Sequence, residues 1–159
     1  MIDLARRITG WVALGTYLVT GAILYFVVIP GANGLWPPDF ALEGYDVQTV
    51  QPFVDALSDR ARDFYARILT RWDRLFAISL AVWFALTGWR GGGLRYLVAG
   101  LAVLYALVDL AENAAIWRFT SAQSLDPALV RTASHLTMAK FATFYLCAVV
   151  LVWHLRRER

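Results

Sequence analysis

Three polar side chains lie inside an apolar run of the chain at the spacing of one helix face. Asp109, Glu112 and Asn113 stand at positions i, i+3 and i+4, with Tyr105 one turn before them, so a helix presents them together. A charged side chain at mid-bilayer costs about 2.5–3.5 kcal/mol even on insertion scales. Both acids are therefore expected to face the protein interior, and we expect at least one of them to carry a proton at neutral pH.

Lys140, the only lysine of the chain, is the predicted partner of these acids. At a rise of 1.5 Å per residue, Asp109 lies about 12 Å below Trp117, and Lys140 lies about 13 Å below Arg131. The two residues share a plane if both runs enter the membrane from the same side. Either Asp109 or Glu112 is therefore expected to pair with Lys140.

Asp109, Glu112 and Lys140 are the candidate catalytic residues, one acid serving as the acid or base while the other tunes it. Lys140 or Arg74 would hold an anionic or polarised group, and Arg74 is expected to approach Glu112. The candidate binding residues near this cluster are Asn113, Arg74, Tyr105, Thr137 and Tyr25. The competing interpretation is structural, an ion pair that fixes helix register without chemistry.

The composition is typical of a membrane protein. Of the 159 residues, 59% are hydrophobic and 17% are charged, against about 45–50% and 25% in soluble domains. The apolar residues gather in four runs, which predicts one all-α membrane domain over residues 1–159 with four transmembrane helices. The predicted spans are 8–29, 75–89, 94–117 and 128–155.

The placement of the arginines orients the predicted bundle. Basic residues cluster before the first span, between the second and third spans, and after the fourth: Arg6, Arg7, Arg90, Arg95, Arg156, Arg157 and Arg159. The positive-inside rule makes that side cytoplasmic, so both termini are expected in the cytoplasm. Six of the seven tryptophans fall at span boundaries, as aromatic belts do, and support this topology.

Residues 30–74 connect the first two predicted spans on the outer side. The glycines and prolines of 30–51 predict an irregular loop. Pro52 then opens a pattern of apolar residues at spacings of three and four, which predicts an amphipathic helix over 52–72. That helix would lie along the membrane surface or cover the bundle as a lid, and it could run unbroken into the second span.

Several chemistries lack the residues they require. His135 and His154 stand on one predicted helix, about 28 Å apart, too far to share a haem. Cys147 is the single cysteine, which excludes an internal disulfide and a thiolate metal site, and no Glu-x-x-His pair supports a carboxylate-bridged metal. The net charge of +3 forms no basic stripe. No cofactor, metal or nucleic acid is therefore expected.

Four short patterns together resemble a family of small bacterial four-helix membrane proteins to which no activity is assigned. They are Asp109-x-x-Glu112-Asn113 on the third span, Lys140 on the fourth, Arg62-x-x-Tyr65, and Asp73-x-x-Phe76. The resemblance covers the chain from about Tyr45 onward. It implies a four-helix membrane fold in a bacterial inner membrane and no particular activity. It also draws attention to Tyr65, Asp73, Asp109, Glu112, Asn113 and Lys140 as a set, which adds Tyr65 and Asp73 to the candidate binding residues.

Three functions remain open on the sequence. The leading hypothesis is a polar pocket, open toward the outer leaflet, that binds a lipid or other amphipathic small molecule and could transform it by carboxylate acid–base chemistry. The second is a non-catalytic accessory or assembly subunit of a larger membrane complex. The third is a proton- or ion-coupled carrier that works as a homo-oligomer. The expected partners are membrane lipid in the first case and protein in the other two.

Overall fold

The structure, a computed structural model, describes residues 1–157, and the regular elements in that range are all helical. Arg159 lies outside the described residues. The helices are α1 (Ile2–Gly31), α2 (Val47–Ala56), α3 (59–87), α4 (Leu94–Thr120) and α5 (Pro127–Arg157). One wide π-helical turn interrupts α1 at Leu24–Val28 and another interrupts α3 at Ile68–Trp72. The prediction of an all-α fold is confirmed.

Within the described residues, three helices are long and apolar enough to cross a membrane, namely α1, α4 and α5. Their outward surfaces carry large apolar side chains: Phe26 is 75% exposed, Leu107 60% and Val149 66%. A water-soluble bundle would place polar residues on these surfaces. The apolar exterior indicates membrane association.

The helices pack in chain order, α1 against α3, α3 against α4, and α4 against α5. Short turns at 88–93 and 121–126 make the last three helices antiparallel. We call the end that carries the 121–126 turn and the 32–58 connection the loop end, and the opposite end the termini end. Because α1 packs mainly on α3, a space remains between α1 and α5.

Two apolar cores lie one above the other in the bundle. The loop-end core includes Leu69, Ile116, Phe119 and Val130, and the termini-end core includes Ala77, Phe84, Ala102 and Cys147. Between these cores stand Asp73 on α3, Asp109, Glu112 and Asn113 on α4, and Lys140 on α5. We call these five residues the polar layer. The helices α3, α4 and α5 thus each supply apolar side chains above and below the polar layer.

The connection between α1 and α3 is more regular than the predicted loop over 30–51. It contains a 3₁₀ turn at Pro38–Phe40 and the first half of α2. The carboxylate of Asp46 starts α2 by accepting a hydrogen bond from the Thr49 N–H at 2.9 Å. Pro52 lies inside α2 and does not open a helix.

The amphipathic pattern predicted as one helix over 52–72 is divided at Ser58. The Ser58 hydroxyl accepts a hydrogen bond from the Ala61 N–H at 3.3 Å and so caps α3, while the Ser58 N–H donates to the Gly31 carbonyl at 2.8 Å. Serine followed by aspartate is a favoured helix start, and this signal outweighs the uninterrupted apolar periodicity. From this point α3 continues through its π turn without a break, as the sequence allowed.

Gly31 lies where the end of α1 meets the start of α3. A Cβ atom at this position would collide with the Ala61 side chain and approach the Ser58 hydroxyl to 2.9 Å. A glycine is therefore required for the two helices to approach this closely. This contact holds the loop end of α1 against α3.

We expect Gly31→Ala to destabilise the protein by about 1–3 kcal/mol, because the added methyl group overpacks the contact with Ala61. The matched control is Gly15→Ala, where a Cβ atom meets nothing within 4 Å and alanine favours the helix by about 0.5–1 kcal/mol. Thermal unfolding of the detergent-solubilised variants, followed by circular dichroism, measures the difference. Equal melting temperatures for the two variants would contradict the close contact.

Candidate functional site

The polar layer contains one buried ion pair, between α4 and α5. Lys140 Nζ lies 2.7 Å from Glu112 Oε2, with the Glu112 side chain fully buried and that of Lys140 13% exposed. The other Glu112 oxygen accepts a hydrogen bond from the Thr137 hydroxyl at 2.5 Å. The Tyr45 hydroxyl in turn lies 3.3 Å from Thr137 Oγ1. Both oxygens of Glu112 are thus occupied by side chains of α5.

Asn113 joins two further carboxyl groups of the polar layer. Its side-chain nitrogen donates to Asp73 Oδ2 on α3 at 2.8 Å and to Asp109 Oδ1 on α4 at 3.3 Å. Within residues 1–157, neither Asp73 nor Asp109 has a basic group at ion-pair distance; the ion pairs there are Lys140–Glu112 and two surface pairs. Asp73 and Asp109 therefore share the neutral side-chain nitrogen of Asn113. The charge of Lys140 is matched by Glu112.

Asp39 is a site residue that the sequence analysis missed. Its carboxylate accepts a hydrogen bond from the Tyr65 hydroxyl at 2.7 Å, and its backbone carbonyl accepts one from Lys140 Nζ at 3.2 Å. Burial raises the pKa of the Tyr65 phenol, and the charge of Asp39 raises it further, so Tyr65 stays a donor. The sequence signal, Pro37-Pro38 before an acid, marks a turn and does not reveal which helices the turn contacts.

A cavity of about 520 Å³ opens at the polar layer, between α1, α5 and the loop-end connection. The polar part of its wall includes Thr20, Asp39, Asp73, Tyr105, Asp109 and Lys140. The rest is apolar and largely aromatic, with Tyr17, Tyr25, Trp36, Phe40, Phe76, Phe141 and Phe144. Small-molecule sites typically have volumes of about 300–1,000 Å³ and mainly apolar walls with a few polar groups. The cavity has both properties.

A second concavity of about 610 Å³ lies on the termini side of this cavity, along the same face of α1. The two share Tyr17, Phe76 and Phe144 in their walls. The second concavity, which we call the apolar groove, has an apolar wall except at its far end, where Arg6 and Arg7 lie. The acidic cavity and the apolar groove are thus adjacent, and the two basic residues lie at the far end of the groove.

Most of the predicted site residues come together. Those in the cavity wall are Asp109, Lys140, Asp73, Tyr105 and Tyr25. Those behind the wall, hydrogen-bonded or ion-paired within the same network, are Glu112, Asn113, Thr137 and Tyr65. The candidate catalytic acids therefore differ: Asp109 faces the cavity, whereas Glu112 is buried behind Lys140.

Arg74 is the predicted residue that does not join the site. It is absent from the cavity wall, and the oxygens of Glu112, its expected partner, contact Lys140 and Thr137. Neighbouring residues of a helix point about 100° apart, so a helix that turns Asp73 toward the polar layer turns Arg74 away. The role predicted for Arg74, holding an anionic group, has no geometric support.

The lysine pairs with Glu112, the second of the two acids that the sequence analysis left open. Counting residues by depth placed Lys140 level with Asp109, but the pair forms one turn nearer the loop end. A lysine side chain is long enough to reach across a helical turn of 5.4 Å. This choice leaves Asp109 free of a cationic partner and in contact with the cavity.

Among the described residues, no three histidine, cysteine or acidic side chains are placed to hold a metal ion. Comparisons with protein-family models, with curated proteins and with solved structures find no match for this chain. The resemblance to small bacterial four-helix membrane proteins therefore stays a prediction. A proposal of function therefore rests on the geometry of the site.

We expect Lys140→Met to destabilise the protein by about 3–5 kcal/mol, because it leaves the buried charge of Glu112 without a partner. Adding Glu112→Gln to this variant removes the unpaired charge and should restore part of the stability. The matched control is Arg67→Met, which breaks a half-exposed pair with Asp63 and should cost at most about 1 kcal/mol. Unfolding in denaturant measures all three. A Lys140→Met variant as stable as Arg67→Met would show that the pair does not hold the polar layer.

Proposed function

We propose that this chain is a bacterial inner-membrane protein whose cavity binds a lipid or another amphipathic small molecule. The observation that carries the proposal is that a polar and an apolar concavity adjoin each other along α1. The cavity wall has carboxyl and ammonium groups at the polar layer, and the adjoining apolar groove is lined by side chains that suit a hydrocarbon chain. An amphipathic molecule has the same division into a polar head and an apolar tail.

The proposal includes four membrane spans, α1, α3, α4 and α5, with both termini in the cytoplasm. The segment of α3 that follows its π turn, Asp73–Thr87, has 15 residues, about 22 Å at 1.5 Å per residue. A segment shorter than the hydrocarbon core can span it when the bilayer thins locally and the flanking charged side chains extend to the surface. In this orientation the loop end faces the periplasm. The cavity then opens toward the outer leaflet, and α2 with the first turns of α3 lies at the outer surface.

Acid–base chemistry is a second candidate function, favoured by the position of Asp109. This carboxyl group faces the cavity and shares the side-chain nitrogen of Asn113 with Asp73. A pair of neighbouring carboxyl groups in different environments is a common source of a catalytic acid or base. Under this hypothesis Asp109 exchanges a proton with the bound molecule. Asp73 adjusts the proton affinity of Asp109, and Lys140 pairs with Glu112.

Cysteine labelling tests the topology. In a Cys147→Ala background, we expect Asp55→Cys and Ser124→Cys to react with a membrane-impermeant maleimide on intact cells stripped of their outer membrane, because both positions are exposed at the loop end. Arg90→Cys, exposed in the turn at the termini end, should react only after the inner membrane is permeabilised. Labelling of Arg90→Cys in intact cells would contradict a crossing by α3.

Filling the cavity tests binding. Gly21 lines the cavity, and a Cβ atom there meets nothing within 4 Å, so Gly21→Leu should occlude the space without disturbing the fold. Gly15→Leu is the matched control on the same helix: it also has open space around its Cβ atom but is not part of the cavity wall. Native mass spectrometry should detect a co-purified lipid or amphiphile on the wild type and on Gly15→Leu, but not on Gly21→Leu. Equal retention by both variants, or none by the wild type, would contradict the proposal.

A further inference from the structure

The charges in the cavity wall are unbalanced. Three carboxyl groups and one lysine line the cavity, and the lysine already has Glu112 at 2.7 Å and the Asp39 carbonyl at 3.2 Å. Asp73 and Asp109 have a shared amide nitrogen and, within residues 1–157, no cation at ion-pair distance. A molecule bound in the cavity would therefore meet carboxyl groups that have no cation at ion-pair distance.

The aromatic side chains of the wall suit the same kind of occupant. Ring faces attract cations electrostatically, and ammonium groups in particular are recognised by cages of aromatic rings. One such contact is present in the wall itself, where Lys140 Nζ lies 5.0 Å from the centre of the Phe141 ring. Further rings of the same wall belong to Tyr25, Trp36, Phe40, Phe76 and Tyr105.

We infer that the occupant carries a cationic ammonium head group, which binds between Asp73, Asp109 and the aromatic wall while its apolar tail follows the groove toward Arg6. This inference rests on the proposed function and specifies the charge of the molecule bound there. An anionic head would face the carboxyl groups of Asp73 and Asp109, and the one cation in the wall, Lys140, is already paired with Glu112 at 2.7 Å. The arrangement thus selects against anions as well as for cations.

A series of probes with one alkyl chain and different heads tests the inference. Protein purified in a short-chain neutral detergent is titrated with dodecyltrimethylammonium, dodecyl tetraethylene glycol and dodecyl sulfate, and binding is followed by native mass spectrometry. We expect the ammonium probe to bind about tenfold more tightly than the neutral probe, and the sulfate more weakly than either. Equal binding of the ammonium and neutral probes, or tighter binding of the sulfate, would overturn the inference.

The outcomes separate the inference from the proposed function. If the neutral probe binds and the ammonium probe has no advantage, the cavity binds amphiphiles but does not recognise a cation. If none of the probes binds, the proposed function fails as well. Dodecylphosphocholine distinguishes two sources of the ammonium group: binding as tight as that of the trimethylammonium probe assigns the head to a zwitterionic lipid, and weaker binding assigns it to a simple organic cation.

Substitution of the two acids locates the recognition. The double variant Asp73→Asn/Asp109→Asn keeps the shape of both side chains, and it should lose the tenfold preference for the ammonium probe while still binding the neutral one. Retained neutral binding shows that the cavity is intact. The matched control is Asp63→Asn, an exposed acid that pairs with Arg67 on α3, and it should keep the preference. If the double variant keeps the preference as well, Asp73 and Asp109 are not the recognition site, and the inference is wrong.

Discussion

The packing of the bundle depends on how the charge of Glu112 is accommodated. A fully buried carboxylate between two apolar cores is costly unless its oxygens have strong partners, and α5 supplies both, from Lys140 and Thr137. Because these residues lie on one face of α5, α4 and α5 must align in a single register. The apolar cores above and below then follow from that register, since the same helices supply side chains to each.

The same alignment explains why the connection between α1 and α3 lies over the bundle. Lys140 has donor capacity beyond the Glu112 pair, and the Asp39 carbonyl uses it, while the Asp39 carboxylate accepts from Tyr65 on α3. The 3₁₀ turn is therefore fixed at two points above the polar layer. The helix α1 packs on α3, and the 3₁₀ turn reaches α5. The connection between α1 and α3 therefore closes the space between α1 and α5 at the loop end, but side chains do not fill that space. The cavity is a consequence of where these hydrogen bonds hold the chain.

Much of this could be predicted from the sequence, and the exceptions have definite physical reasons. Helical spacing placed Asp109, Glu112 and Asn113 on one face, because three- and four-residue separations require no tertiary information. Depth counting brought Lys140 to the right level but could not choose between the two acids, since one helical turn is within the reach of a lysine side chain. Asp39 could not be found at all, because an acid in an irregular segment has no periodicity to reveal which helices it touches.

The number of acids argues that the polar layer does more than fix the helix register. One lysine and one glutamate are sufficient to align α4 with α5, and a buried pair of this kind needs no further carboxyl groups. Asp73 and Asp109 add two acids that share a single amide donor, and both face a cavity of about 520 Å³ instead of a basic residue. Ionisable groups inside a membrane are costly and commonly mark binding or proton-transfer sites. Their exposure to a cavity with an aromatic wall therefore supports the proposal that a molecule of matching charge binds there.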